Sequence, residues 1–477
     1  MPLLLAVKND NTVETISEDD LYKYTRHRWA INESSRLKER YLKFNLHALL
    51  EAAVAACSSS GARSSPKPVR WPSFYTTASE VATRTFLRDA LSIPIPRIIA
   101  WSGNRSNAVG AEFIIEEKAV GEPLGNLWKS LDTLPMNDRM LIVDKILEIE
   151  KKLASMKFAQ FGCLYFREDI PNSNPLQTNP PLSSQMLNRF TMGPLVSNEF
   201  WSGEKAVATP EQFIKAIAEN ERNFIKEYAT PRMNYHHSLI KPKTPHEMLS
   251  MIDRYLQLTP AMVPAQFTKG VDIHSPTLWH PDLHPNNIFV DPETKYLSQV
   301  IDWQSALSLP LFYDYHMLTA IKHHGPALTV LDNPNSWPEP PENYHSLSPD
   351  EKTYIDNAIG SWIQSAWSNK KTFFLRRSLV CIANRWKELC PDADPCPWVF
   401  TEDELASYEH EKETRGYVST FLAYFQDNWG VSMDGSIEVG RFTEVRAEMK
   451  LMRAHFVGSA DDEEEKELAE KIWPHEV

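Results

Sequence analysis

Apolar positions recur along this chain with two periods. From Arg36 to Cys57, Leu37, Tyr41, Phe44, Leu49 and Val54 return at three- to five-residue steps, which predicts a helix. Residues 1–34 before it read as polar and irregular, and 58–66, rich in Ser, reads as a loop. A second helix is predicted from Thr77 to Leu91, with Thr77 or Ser79 as its cap. Ile93-Pro94-Ile95-Pro96-Arg97 then leads into a strand from Ile98 to Trp101. After a Ser/Gly/Asn turn, a second strand runs from Ala111 to Glu116. A longer helix begins near Asn137, with Met140, Val143, Ile146, Leu147 and Leu153 on one apolar face. Residues 171–185 read as a loop. Helical periodicity returns at about 210–229 and 245–257, and 270–303 reads as turns and strands. The rest, to about 457, is mainly helical with proline-rich breaks at 334–341 and 391–397. The order is a small mixed part followed by a large helical part, with no internal repeat.

Composition narrows the function. With 477 residues, 42% hydrophobic and 24% charged, the chain has the balance of a globular protein of roughly two to four domains or lobes. A net charge of −13 disfavours a nucleic-acid binder, whose footprint is basic. Five widely spaced cysteines without a CxxC motif disfavour a disulfide framework and a structural zinc site. No apolar run is long enough for a membrane span. Met1–Val7 lacks both a basic lead and the length of a secretory signal, so an intracellular location is expected. Only 16 glycines occur against 34 prolines, so glycine-lined loops are scarce.

The chemistry concentrates in residues 278–303. Ile288–Val290 and Leu297–Ile301 are strand-like, and Asp291-Pro292-Glu293-Thr294-Lys295 between them is a turn, which predicts an antiparallel hairpin. Asn287 then enters the hairpin where Asp302 leaves it, and the loop from His280 to Asn286 brings Asp282 alongside. Two carboxylates, an amide oxygen and an imidazole suit Mg²⁺ with a substrate phosphate. One Asp orienting a hydroxyl, with an Asn and a second Asp holding metal on ATP, is the grammar of phosphoryl transfer.

His280-x-Asp282-x-x-x-x-Asn287 followed by Ile301-Asp302-Trp303 resembles the aminoglycoside phosphotransferase and choline-kinase-like family, a branch of the protein-kinase-like fold. The stretches 37–45, 74–83, 93–97 and 109–115 resemble more closely the fungal subgroup called altered inheritance of mitochondria protein 9. The resemblance covers most of the chain from about residue 37. It implies an α+β, two-lobe kinase-like fold with a truncated N-lobe (35–118), a helical C-lobe (119–457) holding the catalytic hairpin 278–303, an irregular segment 1–34, and an acidic tail 458–477. It implies Asp282 as catalytic base, His280 as brace of the loop, and Asn287 and Asp302 as Mg²⁺ ligands. Glu80 would be the helical glutamate that pairs with an ATP-contacting lysine. Glu116, Glu117 and Lys118 would open the hinge whose backbone meets adenine. The expected partner is a small-molecule hydroxyl, and the expected compartment is cytoplasmic or mitochondrial.

The family pattern has one gap. A glycine-rich loop and a lysine strand belong before the Glu80 helix, yet residues 57–73 contain only Gly61, and Lys67 and Arg70 sit between prolines that exclude a central strand. Either the chain is a variant or its gene model lacks an exon. ATP binding is in doubt on that ground, and a catalytically impaired pseudokinase is the alternative function. His280, Asp282 and His284 in alternation also suit a zinc hydrolase, with Tyr235-His236-His237 or Lys322-His323-His324 as further ligands. Glu80 could serve only the helix dipole. Asp314 could brace the large lobe. Trp362, Trp367, Trp386 and Trp398 read as core, and 461–465 as a solvated acidic face.

Overall fold

The structure, a computed structural model, describes the chain apart from residues 1–2, 8–12, 25–26, 31–32, 57–61, 67–72, 129–134, 197–208, 230–231, 235–237, 263–271, 273, 311–371, 385, 390–393, 433–434 and 474–477. The expectations placed on Lys67, Arg70, Tyr235–His237, Asp314, Lys322–His324, Trp362 and Trp367 lie outside the described residues. Helices and strands are mixed without strict alternation, which is the expected α+β class. The chain divides into two compact units, one of 1–44, 228–251 and 370–477, the other of 45–227 and 252–369.

In the first unit the segment read as irregular forms strands. Leu3–Val7 pairs antiparallel with Val13–Ser17, and His27–Trp29 pairs with Ser436–Glu438. These pairings are non-local or carry weak alternation, so periodicity does not reveal them. Phe425, Ile437, Phe442, Val445 and Met449 form the core, and Arg28 lies 3.7 Å over the Phe442 ring. Of the acidic run, Glu463, Glu464 and Glu465 form the exposed first turn of a Glu463–Ile472 helix, which Asp462 caps. Acids there complement the helix dipole.

The second unit holds every candidate site residue. A three-stranded sheet has the order Ala62–Pro66, Phe113–Glu117, Ile98–Ser102. The first of these strands was expected to be loop. It lies at the sheet edge and stops at Pro66, which is where proline is tolerated. The Tyr75–Leu91 helix runs almost as predicted and sends Ala82, Phe86 and Leu87 into a core shared with Leu153, Phe158, Leu278, Val300 and Trp303. The helix predicted over 36–57 is two, Glu33–Arg40 and Leu46–Ala56, with Asn45 accepting from the Ala48 N–H at the break.

A second sheet orders Thr178–Asn179, Lys157–Phe158, Pro276–Trp279 and Leu307–Pro310. Trp279 is directly opposite Leu307, so this ladder closes the base of everything from His280 to Ala306. Within that excursion, Ile288–Val290 and Leu297–Val300 form the expected antiparallel hairpin, with Ile288 opposite Val300. Leu124, Ile142 and Ile146 pack against Ile288 and Val290 and fix the hairpin from below. Among the described residues, no helix is long and apolar enough to cross a membrane.

Candidate active site

His280 follows the last residue of the Pro276–Trp279 strand and turns back on the end of the hairpin. The Asp282 backbone N–H donates to His280 Nδ1 at 3.1 Å, so Nδ1 is an acceptor and the proton sits on Nε2. Nε2 in turn donates to the Ile301 carbonyl at 2.9 Å. Both ring nitrogens are thereby committed, and the ring meets Trp303 edge-on at 4.5 Å between centroids. Burial pushes the imidazole pKa down to about 4; the Ile301 carbonyl and Asp282 oppose that shift. A neutral imidazole with no spare lone pair is a brace. It cannot serve as a zinc ligand, which removes the first member of the His280, Asp282, His284 triad.

The Asn287 amide donates from Nδ2 to the Asp282 carbonyl at 2.9 Å. Its backbone carbonyl accepts from the Ile301 N–H at 2.9 Å, the residue before Asp302. Asp282, Asn287 and Asp302 are thus tied into one loop cluster although 20 residues separate the first from the last. Asn287 is buried, and with Nδ2 engaged its Oδ1 is the atom left for a ligand. Asp282 and Asp302 are exposed. Asp302 has φ +64°, in the left-handed region. That conformation costs a non-glycine residue about 1–2 kcal/mol, and Asp bears it better than most. The exposed Asp302 carboxylate and the Asn287 amide oxygen are hard-oxygen donors, the type that fits Mg²⁺, with the Asp282 carboxylate exposed on the same loop cluster. His284 Nε2 stands 3.5 Å from the Asp282 carboxylate, and the His284 Nδ1 accepts from the Asn286 N–H at 3.1 Å.

Glu80 is buried on the Tyr75–Leu91 helix and faces a cation that the sequence reading overlooked. Arg84, one turn on, places Nη1 3.5 Å from Glu80 Oε1, donates from Nη2 to Glu116, and donates to the Pro96 carbonyl at 3.3 Å. One buried guanidinium therefore clamps the helix to the Phe113–Glu117 strand. The signal was available in the Glu-to-Arg spacing of four. Glu117 pairs instead with Arg97 at 3.0 Å, and Lys118 is exposed. After Lys118 the chain is tied to the hairpin: the Val120 N–H donates to Gln299 Oε1 at 2.9 Å, Ser298 Oγ donates to the Val120 carbonyl, and Glu122–Pro123 pairs with Phe289 and Val290. Gly121, at φ +92°, makes that join, because a Cβ there would run into the Val290 carbonyl oxygen.

Residues 214–334, which include this whole loop, match the model of the phosphotransferase enzyme family. A subtelomeric hrmA-associated cluster protein of Aspergillus fumigatus is 25% identical over 86% of this chain and 91% of its own length. The mitochondrial protein altered inheritance of mitochondria protein 9 of Lachancea thermotolerans is 24% identical over 58% of this chain, and the match spans 48% of that relative. A Ralstonia eutropha structure described as a candidate aminoglycoside phosphotransferase aligns with 78% of this chain and 96% of its own, at a TM-score of 0.34 and 13% identity. The family first suggested by the His280-to-Trp303 spacing is the one these sequence matches return: residues 214–334 match the phosphotransferase enzyme family.

Proposed function

We propose that the chain transfers the γ-phosphoryl group of ATP to the hydroxyl of a small molecule, with Asp282 as the base. The carrying observation is the loop built around His280. A neutral, doubly hydrogen-bonded imidazole ties the Asp282 backbone N–H to the Ile301 carbonyl and leaves the Asp282 carboxylate solvent-facing. In that position the Asp282 carboxylate orients an incoming hydroxyl and takes its proton as the oxygen bonds to phosphorus and the bond to the leaving ADP breaks. Asn287 Oδ1 and the Asp302 carboxylate would hold Mg²⁺, which when bound supplies charge neutralisation on the nucleotide phosphates. The backbone strain accepted at Asp302 supports a functional reading of that residue. In the small sheet, the 116–118 segment would receive adenine through its backbone.

A second reading has its own observation. The edge strand Ala62-Arg63-Ser64-Ser65-Pro66 contains no lysine, and the Glu80 carboxylate meets Arg84 of its own helix. A pseudokinase that binds a partner or metabolite would tolerate that arrangement. Thermal unfolding with Mg·ATP separates the two. At a nucleotide concentration about 100 times Kd, binding stabilises by about 2.7 kcal/mol. No upward shift at millimolar Mg·ATP, with the fold intact, defeats the kinase reading. Where transfer is detected, Asp282→Asn is expected to abolish it without lowering the melting temperature, and retained turnover would contradict the base assignment.

A further inference from the structure

A cavity of about 370 Å³ lies between the Tyr75–Leu91 helix, the Ile98–Ser102 strand and residues Phe166 and Arg189, and no residue of the 280–302 loop lines it. Its volume is in the range of small-molecule sites. Four guanidinium groups line it, those of Arg84, Arg88, Arg97 and Arg189, against one carboxylate, Asp89. Arg84 and Arg88 are one helical turn apart and so share a face. All four have a carboxylate within 4 Å: Arg84 meets Glu80 and Glu116, Arg97 meets Glu117 at 3.0 Å, Arg189 meets Asp89 at 2.8 Å, and Arg88 meets Glu117 more distantly, at 3.9 Å.

Arg88 is different. Its Nη1 is shielded from solvent and makes no hydrogen bond, and the nearest carboxylate oxygen, on Glu117, is 3.9 Å away. The Arg88 side chain is 40% exposed, but its Nη1 lacks a hydrogen-bond acceptor, and an anion entering the cavity would supply one. Trp101 and Phe166 supply aromatic surface in the same wall. We propose that this cavity binds a small organic anion, a phosphate monoester or carboxylate carried on an apolar ring, with Arg88 as the anion contact. The proposal stands apart from the phosphoryl-transfer reading, since no catalytic-loop residue takes part.

Titration calorimetry on the full chain with phenyl phosphate, benzoate and benzyl alcohol tests it. An anion of that size is expected to bind with Kd on the order of 1 mM. Whichever anion binds more tightly identifies the head group. Benzyl alcohol should bind at least about tenfold more weakly, because it brings no charge to Arg88. Arg88→Gln, at a side chain 40% exposed, should weaken the anion about tenfold. Asp282→Ala should leave it unchanged. Absence of saturable binding by both anions, undiminished affinity in Arg88→Gln, equal binding of the alcohol, or loss in Asp282→Ala would each overturn the proposal. Should Arg88→Gln not fold, Trp101→Leu is the second variant. It should weaken the aryl anion about threefold, and unchanged affinity there also overturns the site.

Discussion

Replacing His280 with Gln should cost stability at pH 7 and also erase a pH dependence. In the wild type, Nε2–H donates to Ile301, Nδ1 accepts from Asp282, and the ring packs on Trp303. Glutamine can keep one of the two hydrogen bonds. The other is worth about 1 kcal/mol and the ring contact about another, so the variant should lose about 2 kcal/mol at pH 7. The pH effect follows from the depressed imidazole pKa, about 4 in the fold against about 6.5 in the unfolded chain. Between those values the unfolded chain binds a proton that the folded one refuses, so stability falls as pH drops through the window. From pH 7 to pH 5 the loss attributable to His280 is about 2 kcal/mol. Glutamine does not titrate and loses nothing by this route. Thermal unfolding of both proteins at the two pH values reads the difference. At roughly 2 °C per kcal/mol for a unit of this size, the wild-type advantage should shrink by about 4 °C at pH 5. A gap of the same size at both pH values would show that His280 is not held neutral, and the brace argument would fail with it.

Arg84→Met should be among the most disruptive single changes, because it removes the buried guanidinium that pairs with both Glu80 and Glu116. About 3 kcal/mol of destabilisation is expected in thermal melts, and Arg84→Lys should recover part of it. Gly121→Ala should cost about 2 kcal/mol or more through both the positive φ and the Val290 carbonyl, whereas Gly440→Ala, where a Cβ meets open space, should be close to neutral in the same assay. Asp302→Gly should raise the melting temperature by the equivalent of about 1 kcal/mol while Asp302→Ala does not, since only glycine relieves the left-handed backbone. Equal melting temperatures for the two would mean that Asp302 carries no strain.

Local patterns along the chain determined the helix over residues 75–91, the long helix after residue 136, and the hairpin from Ile288 to Val300. Each rests on a period of apolar residues or a turn signal contained within about 20 residues. The order of His280, Asp282, Asn287 and Asp302 could be read in the same way, because the hairpin that folds back between Asn287 and Asp302 is signalled by its own strands and turn. Three features needed the tertiary structure. The strand Ala62–Pro66 has no alternation of its own and exists only as the edge partner of Phe113–Glu117. The Trp279–Leu307 pairing that closes the 280–306 excursion joins residues 28 apart through a sheet that also enlists Lys157 and Phe158. The charge state of His280 depends on how much water Trp303 and the loop exclude, and the bridge from Glu80 through Arg84 to Glu116 depends on a helix packing against a strand. Periodicity and turn chemistry are encoded between neighbours, whereas desolvation and buried ion pairs arise only when remote segments share the same volume.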